Sequence, residues 1–295
     1  MNTNHPLLGI LLMLAAMVFL PIKDGFGKIL GATYSPLEII WAQFFLVYVL
    51  LAPYIVWRYG ARMLWPMPLG QQTVRGIFAV SGIGLFYWAV LLIPLASTTA
   101  VYFVAPLIVT ALSPFFLGEK VGLRRWVAVI VGFSGVLLIV KPDVSGFNAG
   151  YIIALVGGVS IGGFYIWNRK LAGRAPPVVM LAHSVVIGAV LLTFVLPWFW
   201  TAPKQEDGLD IFWFIFFSLL GQVLLMAAFK YGEASVIAPF QYAAIVSATI
   251  FGFFVFAEFP DVWTWVGVAI VTASGIYIAV REGRVKADLE SETSV

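Results

Sequence analysis

The first residues in this sequence that could do chemistry are charged side chains inside a long apolar stretch. Lys23 and Asp24 are adjacent, with Pro21 before them and Gly25 and Gly27 after them. Proline and glycine beside opposite charges fit a broken helix whose freed backbone faces a cavity, where the charges would couple or gate the passage of a solute. The alternative is that both charges lie among the outer lipid headgroups and simply end the helix.

Aromatic and hydroxyl side chains further along the chain could form a wall of a binding site. Thr98 and Tyr102 are four residues apart, which places them on one face of a helix. A tyrosine on such a face offers a substrate a flat apolar surface and a hydroxyl group. Tyr87 and Trp88 are candidates for the same wall. An interfacial aromatic belt is the alternative, although it accounts for Tyr102 less well than for the tryptophans near the ends of apolar stretches.

The second half of the chain offers amides and two more tyrosines as substrate-binding candidates. Gln222 and Gln241 lie inside apolar stretches, where an amide needs a partner, so both are expected to face the interior. Whether they contact a substrate or another helix stays open. Tyr242 follows Gln241 directly. Tyr165 follows a Gly-x-x-x-Gly spacing that is typical of close helix packing.

The ionisable groups do not form a catalytic or metal-binding set. His183 could take part in proton coupling, because histidine titrates near neutral pH, but a lone histidine in a membrane helix more often packs or donates a hydrogen bond. The chain has two histidines and no cysteine. Glu119 and Glu258 lie at the ends of apolar stretches, away from each other in sequence. We therefore expect no metal, no cofactor and no enzyme activity.

Composition indicates that these residues lie on membrane helices. Hydrophobic residues make up 62 % of the 295 residues and charged residues only 11 %, whereas soluble domains carry about 25 % charged residues. The net charge of +3 is too small for a nucleic-acid-binding face. The expected surroundings are a lipid bilayer, and the expected partner is a small-molecule substrate.

Gaps between charged residues locate the membrane spans, because a charge near the bilayer centre costs about 2.5–3.5 kcal/mol on insertion scales. The run from Gly76 to Gly118 would form a helix of about 65 Å, twice the bilayer core, so it must turn back at Pro94. Ten spans result. The charge-free runs are Pro6–Ile22, Ile39–Trp57, Gly76–Gly118, Trp126–Val140, Val144–Asn168, Ala175–Pro203, Ile211–Phe229, Ala234–Ala257 and Val262–Val280.

Basic residues predict the orientation, since short cytoplasmic loops retain lysine and arginine. With the N-terminus inside, most basic residues fall on the cytoplasmic side, and only Lys23, Lys28, Lys141 and Lys204 fall on the other side. Both termini are then cytoplasmic.

An internal repeat divides the ten spans into two halves at a period of about 140 residues. Ala96-Ser97 opens the fourth span as Ala234-Ser235 opens the ninth, and Glu119 and Glu258 end them. Because five is an odd number, the second copy is inverted, which suits alternating access around a midplane site. The predicted fold is all-α, with ten transmembrane helices in two inverted five-helix repeats. We expect the repeats at residues 1–142 and 143–282, and a disordered cytoplasmic tail at 283–295.

These features together resemble the drug/metabolite transporter superfamily, of the EamA type with two repeats of five helices. The resemblance covers essentially the whole chain. The matching features are Ser35-Pro36-Leu37-Glu38, Arg75-Gly76, the Ala-Ser-x-x-Ala starts of the fourth and ninth spans, and the Gly-Glu and Ala-Glu ends of the same spans.

The resemblance implies a carrier that moves small metabolites across the bacterial inner membrane as a monomer or weak dimer. It favours export of amino acids, aromatic ones among them, with import of another metabolite such as riboflavin as the alternative. Lys28 corresponds to a lysine that the family places near the end of the first span. Family members also place an arginine seven residues after Pro36, where this chain has Gln43. Gln43 is therefore a further candidate for coupling or gating.

We expect Tyr102→Ala to impair transport more than Trp265→Ala at equal expression, because Tyr102 is predicted to face the cavity and Trp265 the lipid interface. Uptake into proteoliposomes measures the difference. The reverse order of impairment would show that Tyr102 belongs to the aromatic belt.

Overall fold

The computed structural model describes residues 5–119, 121–140, 148–231 and 234–293, with no side-chain description for Pro6, Ala234, Ser235 or residues 282–293. Over these ranges the chain forms helices and no strands. This follows from the composition, because a helix satisfies its backbone N–H and C=O groups internally, as hydrocarbon surroundings require. Lys120, Lys141 and Glu233 lie outside the described residues.

The helices are joined by short connections. They are α1 (Pro6–Leu30), α2 (Pro36–Tyr59), α3 (Leu69–Leu92), α4 (Leu95–Tyr102), α5 (Val104–Phe116), α6 (Leu123–Val140), α7 (Ala149–Leu171), α8 (Pro177–Val195), α9 (Gly208–Tyr231), α10 (Ala234–Ile237), α11 (Ala243–Phe256) and α12 (Val262–Thr293). Short 3-10 helices lie at Ala61–Leu64, Leu196–Trp198, Gln205–Asp207 and Ala238–Tyr242.

Ten segments of the described chain are long and apolar enough to cross a membrane, which confirms the predicted number. The predicted reversal at Pro94 is also confirmed, since α3 ends at Leu92 and α4 begins at Leu95. Side-chain caps mark the first residues of α2 and α7. The Ser35 hydroxyl accepts from the Leu37 N–H at 3.3 Å, and the Asn148 side chain accepts from the Gly150 N–H at 2.8 Å.

The helix breaks lie in the fourth and ninth spans rather than in the first. Helix α1 is continuous through Pro21, so the expectation of a broken first helix is wrong. The fourth span instead breaks at Phe103, between α4 and α5. Pro106 explains this break, because proline has no N–H to donate to the Tyr102 carbonyl and its ring crowds that group. The ninth span passes through the 3-10 segment Ala238–Tyr242 before α11.

Helices of the first half of the chain pack against helices of the second half. Helix α1 packs on α9 as α3 packs on α7, which are corresponding pairs from opposite halves. The self-corresponding pairs α2 with α8 and α6 with α12 also pack together. Consecutive spans alternate in direction, so spans five apart run antiparallel. The predicted architecture of two inverted five-helix repeats is confirmed.

The last helix extends beyond the tenth span. Helix α12 continues past Arg281 to Thr293, and the disorder expected from residue 283 stays a prediction. Residues 282–293 contain three glutamates and one each of alanine, leucine, lysine and arginine, which are good helix formers.

Glycines on α7 allow close helix packing, as their spacing predicts. A side chain at Gly158 would meet Val104, and one at Gly162 would meet Ile108. At Gly157 an added Cβ would overlap the hydroxyl of Tyr102. The absence of side chains at these three positions therefore lets α7 approach the fourth span.

We expect Gly157→Leu to lower the thermal stability of the purified protein, because the added side chain displaces Tyr102 and overpacking typically costs about 1–3 kcal/mol. Gly122→Leu is the matched control, since open space surrounds Gly122. The melting temperature in detergent measures both. Equal melting temperatures would contradict the packing role of Gly157.

Candidate functional site

A central cavity of about 610 Å³ lies between helices of both halves. Its volume falls within the range of about 300–1,000 Å³ that is usual for small-molecule sites. Its aromatic lining residues are Phe86, Tyr102, Phe103, Tyr165 and Phe229. Its polar lining residues are Asp24, Thr99, Thr110, Asn168, Arg169 and Gln241.

Asp24 brings a carboxylate to the cavity. Its Oδ1 lies 2.5 Å from the Nζ of Lys23 and accepts a hydrogen bond from the Tyr87 hydroxyl at 3.2 Å. The Lys23 ammonium also lies 5.3 Å from the centre of the Tyr87 ring. Within the described ranges the other oxygen, Oδ2, has no hydrogen-bond partner. Asp24 can therefore accept a hydrogen bond from a donor in the cavity.

The aromatic wall is held in place by edge and stacking contacts. The Tyr102 hydroxyl donates to the Gly82 carbonyl at 2.6 Å, and its ring meets Phe86 edge to face at 4.9 Å. Phe103 and Tyr242, which directly precede α5 and α11, stack at 4.4 Å. Because its hydroxyl is bonded to the backbone, Tyr102 offers a substrate mainly its ring.

The structure brings three of the eight predicted substrate-binding residues to the cavity. Those that line it are Tyr102, Tyr165 and Gln241, together with Asp24 from the coupling candidates. Tyr87 and Tyr242 lie one layer behind, in contact with Asp24 and Phe103.

Three predicted residues lie elsewhere. Thr98 is completely buried and donates to the Pro94 carbonyl, because its hydroxyl finds a partner within its own helix. Trp88 is 40 % exposed and is not a lining residue, as expected for a ring on the outer surface. Gln222 is half-buried in α9 and does not line the cavity either.

The remaining coupling candidates are buried between helices. Lys23 is buried beside Asp24 and seven residues before the end of α1, so the two charges do not end the helix. Gln43 donates to Ser218 at 2.9 Å and holds α2 against α9. His183 contacts the Met63 carbonyl at 2.8 Å and Gln72 at 3.5 Å. Gln43 and His183 do not line the cavity.

Sequence reasoning missed several lining residues. Thr99 and Thr110 are threonines inside the fourth span, and Phe86 precedes the chosen Tyr87. Asn168 ends the charge-free run that begins at Val144, and Arg169 follows that run. A hydroxyl group within an apolar span could have pointed to the threonines. The sequence does not distinguish a threonine that faces a cavity from one that only donates to its own helix, and Thr99 and Thr110 both make such a bond.

One end of the bundle is closed by an ion pair between the two halves. The Lys28 ammonium lies 2.5 Å from the Glu258 carboxylate and 3.4 Å from the Ile93 carbonyl. The second Glu258 oxygen accepts from the Leu95 N–H at 3.1 Å. We call this side the Glu258 end. The pair joins α1, the α3–α4 turn and the end of α11.

A hydrogen bond outside the spans strengthens the same end. The Tyr34 hydroxyl donates to the Asp207 carboxylate at 2.6 Å and accepts from the Lys204 N–H at 2.9 Å. The hydrogen bond to Asp207 raises the pKa of Tyr34 above its ordinary value. The bond therefore persists throughout the neutral range, and it joins the α1–α2 loop to the segment before α9.

The opposite end is held by a looser pair at the corresponding position. Glu119, after α5, lies 3.6 Å from Arg169 in α7, and both side chains are 39 % exposed. We call this side the Glu119 end. Arg169 lines the cavity, whereas Lys28 and Glu258 do not. The cavity thus reaches the Glu119 end and is closed toward the Glu258 end.

Comparison with known proteins agrees with this duplicated architecture. The model of the EamA-like transporter family matches residues 7–141 and again residues 148–280. The chain belongs to the EamA-like transporter family. It is therefore a multi-pass membrane transporter of small molecules and not an enzyme.

Relatives of this EamA-like transporter carry different names. An S-adenosylmethionine uptake transporter of Rickettsia prowazekii is 27 % identical over 93 % of each chain. A riboflavin transporter of Vibrio cholerae is 27 % identical over 93 % of this chain and 94 % of its own. A pseudopaline exporter of Pseudomonas aeruginosa is 25 % identical over 92 % and 95 %.

A solved crystal structure shares the fold of this EamA-like transporter. It has a TM-score of 0.62 and 17 % identity, and the match covers 96 % of this chain and all of the other. At this identity the likeness concerns the fold alone.

Proposed function

We propose that this transporter carries an amino-acid-type metabolite that bears a positive charge and a flat ring. The observation that carries the proposal is the Asp24 carboxylate in a cavity walled by aromatic rings. A carboxylate pairs with a cationic group, and aromatic faces attract both cations and flat rings. Tyr102 and Phe103 supply such faces on the fourth span.

Burial supports a substrate role for Asp24. Lys23 compensates part of its charge through Oδ1, which lowers the cost of burying the carboxylate within the bundle. A cationic group that enters the cavity gains a partner at Oδ2 without breaking that pair. A substrate with only negative charge would instead be repelled by the Asp24 carboxylate, because it has no cationic group to pair with it.

S-adenosylmethionine is the first candidate substrate. It joins a sulfonium cation, an amino-acid group and an adenine ring, which match the carboxylate and the aromatic wall. Relatives at 27–28 % identity are named as uptake transporters of this compound. Outward transport of aromatic amino acids is the second candidate, favoured by the same wall and by the ammonium group that Asp24 would bind.

Alternating access is the proposed mechanism, with an ion pair at each end of the cavity. Closure by Lys28 and Glu258 at one end, with a looser Glu119–Arg169 pair at the other, describes one of two states. In the other state the two halves would adopt each other's conformations, which would open the Glu258 end and close the Glu119 end. We place the protein in the bacterial inner membrane, as a monomer or weak dimer, with the Glu119 end and both termini in the cytoplasm.

Counterflow into proteoliposomes tests the substrate class. We expect saturable exchange of labelled S-adenosylmethionine or phenylalanine, and at least a ten-fold loss in Asp24→Asn, because the neutral amide cannot pair with a cation. Trp88→Ala is the control, since its exposed ring lies outside the cavity. If neither compound exchanges, or if Asp24→Asn exchanges normally, the proposal is wrong.

Cysteine labelling tests the gating role of the ion pair. The chain has no cysteine, so Thr99→Cys provides a single reactive site in the cavity. A membrane-impermeant maleimide should label it from the Glu119 end, and adding Glu258→Gln should increase labelling from the Glu258 end several-fold, because the pair that closes this end is weakened.

The matched control for this labelling is Glu206→Gln, which weakens the exposed Lys204–Glu206 pair at the same end. It should leave the accessibility of the cysteine unchanged. Unaltered labelling in Glu258→Gln would exclude the pair as a gate.

A further inference from the structure

A buried arginine stands behind the cavity wall near the Glu119 end. Arg75 in α3 is fully buried, and its guanidinium donates to the side-chain oxygen of Asn168 at 3.2 Å and to the backbone carbonyl of Met180. Among the residues that the structure describes, Arg75 has no carboxylate partner. Its positive charge is therefore held by neutral groups, which are these two oxygens and the Met180 sulfur at 3.7 Å.

The contact with Arg75 determines the orientation of the Asn168 amide. A guanidinium has only donors, so the atom of Asn168 that it contacts must be the acceptor, Oδ1. The amide nitrogen, Nδ2, then points away from Arg75. Because Asn168 lines the cavity, its two N–H groups become donors on the cavity side.

A buried positive charge lies behind these donors, at Arg75. Arg169 follows Asn168 directly and lies at the rim of the cavity, where Glu119 compensates part of its charge at 3.6 Å. Asp24, by contrast, lies six residues before the end of α1 at the Glu258 end, while Asn168 lies three residues before the end of α7 at the Glu119 end. The cavity therefore has an acidic group toward its closed side and donors with positive charge at its mouth.

We infer that Asn168, oriented by Arg75, recognises the carboxylate of the substrate at the mouth of the cavity; this inference rests on the proposed function. An oriented N–H donor in front of the Arg75 guanidinium suits a carboxylate and disfavours a second cation. Asn168 and Asp24 lie at different depths, so the carboxylate meets Asn168 at the mouth when the substrate enters, and the cationic group meets Asp24 only at a deeper position. Arg75 is a positioning residue that does not itself touch the substrate.

Matched pairs of compounds test this recognition by binding to the purified full-length protein. The probes are phenylalanine with phenylalaninamide, and S-adenosylmethionine with its decarboxylated form. We expect the carboxylate member of a pair to bind about ten-fold more tightly, the effect of a hydrogen bond to a charged group. Asn168→Asp keeps an oxygen for Arg75 and replaces the donor, so it should abolish or reverse this ratio.

Two further variants separate recognition from structure. Asn148→Asp makes the same amide-to-acid change at the N-cap of the same helix, outside the cavity lining, and it should leave the ratio unchanged. Arg75→Lys keeps the charge but loses the planar fork that orients Asn168, so it should reduce the ratio. Melting temperatures verify that each variant is folded.

The outcomes are distinguishable from those of the counterflow test. A wild-type protein that binds neither carboxylate member more tightly than its partner overturns the inference, as does an Asn168→Asp variant that weakens both members equally. If the ratio behaves as expected but no compound exchanges in proteoliposomes, the transport proposal fails and the recognition by Asn168 stands.

Discussion

Hydrocarbon surroundings make a charged group without a partner costly, and this constraint governs where the few ionisable side chains of the bundle lie. Lys23 pairs with Asp24, and Lys28 pairs with Glu258, each at 2.5 Å. Arg75 instead lies among neutral oxygens of other helices. The Lys28–Glu258 pair joins α1 to the chain after α11 and so holds the closed end in place. Lys23 and Asp24 are neighbours on α1, and their pair brings a partly compensated carboxylate to the cavity. The same groups are those that a charged substrate would meet.

Because of the inverted repeat, the same kind of ion pair occurs at both ends of the bundle. Each half contributes a carboxylate at the end of its fourth helix and a basic residue near the end of its first, so Glu258 meets Lys28 and Glu119 meets Arg169. The two pairs lie at opposite ends because the halves run in opposite directions. The Lys28–Glu258 pair is shorter and less exposed than the Glu119–Arg169 pair. The same sequence pattern therefore gives one closed end and one end that the cavity reaches.

The breaks in the fourth and ninth spans show how proline chemistry supports the site. Pro106 deprives the Tyr102 carbonyl of its helical partner, and the chain changes course at Phe103. The ring of Phe103 then stacks on Tyr242 from the other half. The glycine at position 157 leaves room for Tyr102 to reach the Gly82 carbonyl. Helix breaks, stacking and glycine packing thus produce a wall of rings rather than a filled core.

Hydrophobicity, loop charges and the repeat determined from the sequence that the chain crosses the membrane ten times in two inverted halves, because the cost of charge in lipid acts on each segment separately. The turn at Pro94 followed from the same local physics. Which polar residues face the cavity was decided only by tertiary structure. Thr98 and Thr99 are alike in sequence, yet only Thr99 lines the cavity, and Asn168 faces it with a donor because a distant Arg75 holds its oxygen. Side-chain direction and long-range pairing depend on how helices pack, and a linear pattern does not contain that information.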